Sequence, residues 1–213
     1  MKRRIMKKLK QTPLVKWFVI SVMAIASLCF SCPRTAAQQS ATQTAGQTAA
    51  QKYFTDVVLV NQNGEKMRLY SDLLKDKVVV IDFFFATCQG SCLPLNRNLQ
   101  KVQEALGDHV GKDVHLISIS VDPTMDTPAR LKEYAKKLDA RDGWYFLTGD
   151  KANVDFALRK LGGYVDDKQD HINIFIIGNE RTGLWKKAFG LAQSGELIKV
   201  VESVLNDQPT GGK

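Results

Sequence analysis

VVVIDFFFATCQGSC, residues 78–92, decides the fold: seven of its first eight residues are apolar, and the last seven break abruptly into small and polar types with two cysteines. An almost unbroken run of β-branched and aromatic residues is a strand buried on both faces, which requires a parallel or mixed sheet with helices on either side. After it, Leu95, Leu99, Val102 and Leu106 recur with the spacing of one helix face. The cysteines Cys88 and Cys92 therefore sit where a buried strand turns into a helix.

The pattern repeats outward. A second buried run spans 114–121, and a helix is predicted from Pro128 to Leu138, with Thr127 as cap and Pro128 at the first helical position. A shorter helix is predicted over 153–161, a strand over 172–177, a turn over 178–183, a strand over 184–189 and a last helix capped by Ser194. Upstream, 57–60 and 66–70 flank Asn63-Gly64 and read as a hairpin. The order β-α-β, then α-β-β-α, predicts an α/β fold: a thioredoxin-like three-layer α/β/α sandwich with an N-terminal β-hairpin extension.

The chain has 213 residues and a formal charge of +8. All of that excess lies in residues 1–37, which hold eight Lys or Arg and no acid; residues 38–213 carry 22 of each sign. The remainder is neutral and offers no basic patch for nucleic acid. Residues 1–37 instead join a basic start to the apolar run WFVISVMAIASLCF (17–30) and the small residues Thr35, Ala36 and Ala37, the pattern of an export signal. The 19 residues 14–32 also approach the minimum for an uncleaved membrane anchor. Either reading places the rest of the chain in the cell envelope, on the periplasmic side of the inner membrane, anchored or secreted. The expected organisation is signal peptide or anchor over 1–37, a Gln, Ala and Thr-rich flexible linker over 38–52, a folded domain over 53–207 and a disordered tail over 208–213.

Cys29 and Cys32 belong to the leader, which leaves Cys88 and Cys92 as the domain's pair, in a compartment where thiols meet oxidants. At a helix start the dipole favours thiolate, the form that is both nucleophile and metal ligand. The four-residue step would place both sulfurs on one helical face, close enough for a disulfide or a shared metal. Two thiolates leave a metal site incomplete. Of three histidines, His109 reads as a surface loop residue and His115 as a core or edge strand residue. His171 follows the polar run 166–170 and precedes a buried strand, on a loop that passes the helix-start cysteines in this topology.

Taken together, Cys88-x-x-x-Cys92, the segment SVDPTMDTP (120–128), Leu147-Thr148-Gly149 and Asp170-His171 resemble the SCO/SenC copper chaperones of cytochrome c oxidase assembly, in family order and over about residues 54–205. The resemblance implies one copper held by Cys88, Cys92 and His171. It also implies export or membrane anchoring, and delivery of copper to, or reduction of the cysteines of, the oxidase's dinuclear copper centre. Two thiolates and an imidazole suit Cu(I) and accept Cu(II), whereas a structural zinc wants four protein ligands. The chain departs from the family's usual Cys-Pro-x-x-Cys-Pro: Gln89 and Leu93 replace the prolines, Pro94 is displaced by one, and Gly90-Ser91 fill a gap that usually holds an acid, which predicts a more mobile loop. Asp122 and Asp126 are expected to organise a turn, or one of them to orient His171.

The alternative is an exported thiol-disulfide oxidoreductase in which Cys88 attacks and Cys92 resolves. The extra residue between the cysteines, and the lack of a proline before the strand at 172–177, favour the chaperone. A peroxide-reducing redoxin lacks a recognisable Thr and Arg constellation. Expected partners are the oxidase's copper-centre subunit or another copper or thiol protein, and the membrane if the leader is retained.

Overall fold

The computed structural model describes residues 48–208. The expectations for 1–37, Cys29 and Cys32 included, therefore lie outside the described residues, as do those for 38–47 and 209–213. A short helix α1 (Ala49–Phe54), capped by the Thr48 hydroxyl, covers residues expected at the end of the linker. The hairpin follows as β1 (Val58–Val60) and β2 (Lys66–Arg68), in register Leu59 to Met67. Its far arm was expected to reach Tyr70, but a π-helical turn, Leu69–Leu74, begins there and buries Leu69, Leu73 and Leu74.

The central sheet is built from β3 (Val78–Phe84), β4 (Val114–Ser120), β5 (Trp144–Leu147), β6 (Ile174–Asn179) and β7 (Leu184–Phe189), in the order β5-β4-β3-β6-β7. Strands β3, β4 and β5 are parallel, while β6 and β7 form an antiparallel hairpin against β3. Between them run α2 (Cys92–Leu106), α3 (Pro128–Lys136), α4 (Lys151–Leu161) and α5 (Ser194–Leu205). This is the anticipated α/β sandwich, with one strand that the sequence pattern did not suggest: β5, four residues between α3 and α4.

All seven residues of β3 and of β4 are buried, as the unbroken apolar run requires. Alternation sends them to opposite cores. Val78, Val80 and Phe84 pack with Leu95, Leu99, Trp144, Phe146 and Val201 beneath α2, α3 and α5. Val79, Ile81 and Phe83 pack with Ile117, Ile119, Leu158 and Leu73 beneath α4 and the π-helical turn. Thr127 caps α3 as expected, its hydroxyl accepting from the Arg130 N–H at 3.3 Å, with Pro128 at the first position. Ser194 does not cap α5; it is the first helical residue, and Gln193 occupies the cap position without a side-chain bond.

Candidate metal centre

Strand β3 delivers the chain to the centre of the sheet's edge and ends at Phe84, one turn short of the first cysteine. The Cys88 N–H donates to the Phe85 carbonyl at 3.1 Å, closing that turn. The Ala86 N–H donates to Asp126 Oδ2 at 3.0 Å, tying the loop to the segment after β4. Helix α2 starts at Cys92, so Cys88 stands in the loop before the helix rather than on its face. The sulfurs converge all the same: Cys88 Sγ, Cys92 Sγ and a nitrogen of His171 all lie within 4.8 Å of one another, the one such cluster of His, Cys, Asp or Glu among the described residues. Cys88 is half-buried, Cys92 buried, and both are free thiols.

His171 arrives from the other direction, on the short 3-10 turn Lys168–Asp170 that leads into β6. Its Nδ1 is 3.0 Å from the Lys168 carbonyl oxygen and its Nε2 is 3.1 Å from Cys92 Sγ. A carbonyl only accepts, so Nδ1 carries the ring proton, Nε2 presents its lone pair to the site and the Cys92 thiol donates to it. Phe85 packs edge-on against the imidazole, with ring centroids 5.4 Å apart.

The helix start was expected to favour thiolate at the cysteines. At Cys92 burial prevails and pushes the thiol well above its ordinary range, with the neighbouring Cys88 adding to the effect. The site thus keeps the Cys92 proton, and a metal would have to displace it to gain the thiolate. Two sulfurs and one imidazole nitrogen form a soft, low-coordinate donor set that fits a cuprous ion better than zinc or a hard cation.

His109 and His115 stand elsewhere, as anticipated. His109 is exposed and faces Asp113 at 3.1 Å, and His115 is buried in β4 with Nδ1 3.0 Å from the Leu73 carbonyl oxygen. Asp126 does organise the turn: it is fully buried and accepts from Ser120 Oγ at 2.6 Å as well as from Ala86. Neither Asp122 nor Asp126 hydrogen-bonds His171. Asp122 instead pairs with Lys168 Nζ at 2.7 Å. Sequence reasoning passed over Lys168 within a polar run, and passed over Asp82, whose only signal was a lone acid inside the apolar run of β3.

A family model described as SCO1/SenC matches residues 43–205. The chain belongs to the SCO1/SenC family. It is 36% identical to the SCO1 protein homolog of Bacillus subtilis over 109 residues, 49% of this chain and 54% of that relative. It is 31% identical to an SCO2-like protein of Rickettsia typhi over 153 residues, 66% of this chain and 71% of the relative. The chain spans about half the length of most of the curated relatives it matches. Among solved structures it resembles BsSco, a member of the Sco family of cytochrome c oxidase assembly proteins, with 29% identity and a TM-score of 0.59, covering 71% of this chain and 92% of that one. It is likewise similar to copper-bound yeast Sco1, with 25% identity and a TM-score of 0.59 over 74% of this chain and 95% of the other. Copper-bound ScoI of Bradyrhizobium japonicum matches equally well, at 25% and 0.59 over 70% and 96%.

Proposed function

We propose that this SCO1/SenC protein is a copper metallochaperone that carries one copper ion on Cys88, Cys92 and His171 for assembly of the dinuclear copper centre of cytochrome c oxidase. The observation that carries the reading is the convergence of two thiols and one imidazole lone pair within 4.8 Å. Copper is cargo here, so the site must release as well as bind. Three protein donors leave room for a recipient's ligand to attack before the donor lets go. The half-buried Cys88 is the accessible sulfur from which such an exchange would begin, while Cys92 and His171 hold from within. The basic, apolar leader supports a working place in the cell envelope, on the periplasmic side of the inner membrane, with the oxidase's copper-bearing subunit as partner.

Anaerobic titration of the reduced protein with Cu(I), beside a His171→Ala variant, tests the assignment. One equivalent bound tightly by the wild type, and bound at least tenfold more weakly by the variant, supports it. Equal binding by both would exclude His171 from the ligand set.

A second reading rests on the same two free thiols: an exported thiol-disulfide oxidoreductase. Cys88 thiolate would attack a partner disulfide, and Cys92 would displace the partner's second thiol, so that two thiols here become one disulfide as the partner gains two electrons and two protons. Turnover of a disulfide substrate that survives His171→Ala would favour it.

A further inference from the structure

The ligand His171 hangs on a three-residue turn, and the turn is fastened by one side chain. Lys168 accepts at its carbonyl from His171 Nδ1 at 3.0 Å, which fixes the tautomer. Its Nζ reaches out of the turn to Asp122 Oδ2 at 2.7 Å. It also lies 5.3 Å from the centroid of the Phe85 ring, the ring that packs edge-on against His171. Asp122 is itself held: its N–H donates to Ser120 Oγ at 3.0 Å and its Oδ1 accepts from Thr124 Oγ1 at 2.9 Å. The Asp122 side chain is only 10% exposed, against 36% for Lys168. This is not a pair of two long, solvated side chains, whose coupling is worth little. One partner is a short carboxylate set in a hydrogen-bonded turn.

We propose that Lys168 is a positioning residue for the metal centre, clamping the His171 turn onto Asp122 so that Nε2 faces Cys92 with its lone pair free. The inference rests on the copper reading given above and adds a residue that touches neither sulfur nor metal. The clamp spans three parts of the chain: the segment after β4 through Asp122, the strand-to-helix corner through Phe85, and the His171 turn itself. Cutting it leaves the Lys168 carbonyl in place but removes the tether that fixes where that carbonyl stands. The imidazole then samples other orientations and the Nε2–H tautomer, in which the metal-facing nitrogen carries a proton and cannot ligate.

Two measurements on the full chain test this, with Lys168→Met, Lys168→Arg, Asp122→Asn and the Lys168→Met/Asp122→Asn double variant. The first needs no copper: the imidazole nitrogen shifts of His171 in the reduced protein. The wild type and Lys168→Arg should show a single Nδ1–H tautomer, and Lys168→Met and Asp122→Asn a mixture or exchange broadening. The second is copper affinity, expected to fall roughly 10- to 100-fold in Lys168→Met, to recover in Lys168→Arg, and to fall no further in the double variant than in either single one, because both break one link. Unchanged His171 shifts in Lys168→Met would overturn the clamp, as would additive losses in the double variant. If the wild type bound no copper, the chaperone reading would fail, while the nitrogen shifts would still decide whether Lys168 positions His171.

Discussion

The proton between Cys92 and His171 links the site to pH. Cys92 donates its thiol hydrogen to Nε2 at 3.1 Å in a buried position, and burial holds the thiol above its ordinary value of 9.0. The unfolded chain loses that proton near its ordinary value while the folded, copper-free protein keeps it. The contribution to stability is therefore complete below about pH 9 and is lost as pH climbs toward the raised folded value, at no more than about 1.4 kcal/mol per pH unit. Urea unfolding of the reduced protein between pH 8 and pH 10 should show this decline, and Cys92→Ala should remove it. A wild type as steep as the variant would mean the thiol is not held protonated. Tyr70, Tyr134 and Tyr145 are also pushed up, so they add a decline of the same sign only at higher pH.

The nearness of His171 to the cysteines was legible in sequence because the residue sits at a strand end, where topology alone brings a loop beside them. The protonation of Cys92 was not legible. The helix dipole and the burial of the thiol act in opposite senses, and only packing says which is larger. Lys168 escaped notice for a related reason: its partner Asp122 lies 46 residues away in the chain, and nothing local distinguishes it from a solvated lysine.

Strand β3 carries one buried acid, Asp82, whose role is visible only once the sheet is assembled. Asp82 points into the core beneath α2, paired in register with Ser118 of β4, from whose hydroxyl it accepts. Asn96, Trp144 and Tyr134 extend this polar cluster: the Trp144 indole N–H donates to Ser118 Oγ at 3.0 Å, and Asn96 Nδ2 donates to the Tyr134 hydroxyl at 3.3 Å. Asp82 Oδ2 has no protein partner, and burial raises the carboxyl to about 7. The folded protein keeps this proton where the unfolded chain has lost it. Stability should be highest below about pH 4 in this respect and fall as pH rises to about 7, by on the order of 4 kcal/mol in all. Asp82→Asn should flatten that slope in equilibrium unfolding from pH 4 to pH 8. A slope that persists in the variant would assign it to other groups.

The helices and long strands were readable because each buries a periodic face. Strand β5 was missed because four residues after Asp142-Gly143 are too few to show a period, and its identity as a strand comes from pairing with β4. The π-helical turn was missed because Leu69 and Tyr70 fit the end of a hairpin arm and the residues after them are too few to show a helical period. Gly190, after β7, shows how neighbouring elements set the site's spacing. A Cβ there would stand 2.5 Å from Leu95 Cδ1 and 3.2 Å from the Asn173 carbonyl oxygen. Leu95 is fully buried one turn beyond Cys92, and Asn173 is two residues past His171, so the helix that starts at Cys92 and the loop that carries His171 would both have to give. Gly190→Ala should cost about 1 to 3 kcal/mol in urea unfolding, whereas an unchanged midpoint would mean the corner relaxes freely.

Across the fold, the proposed ligands come from two stretches 79 residues apart, and this separation predicts how copper would couple to stability. Cys88 and Cys92 are four residues apart in any conformation, so the unfolded chain retains the pair and would bind copper through it. His171 joins them only when β3, α2 and β6 are in place. Copper would stabilise the fold by the ratio of its affinities for the folded and unfolded chains, and on the proposed ligand set that ratio is what the imidazole supplies. With free Cu(I) buffered at about 100 times the dissociation constant, the gain is at most about 2.7 kcal/mol, the value reached if the unfolded chain bound none. For a domain of this size that is a rise of roughly 5 to 10 °C in melting temperature. Calorimetry of the reduced protein with and without buffered Cu(I) should find that rise and its reversal by a strong chelator. His171→Ala should lose most of the rise even while copper still binds, because its folded and unfolded forms then offer the same two sulfurs. A variant that gained as much as the wild type would show that the folded state presents the cysteine pair to copper better than the unfolded chain does, and that His171 adds nothing to the difference.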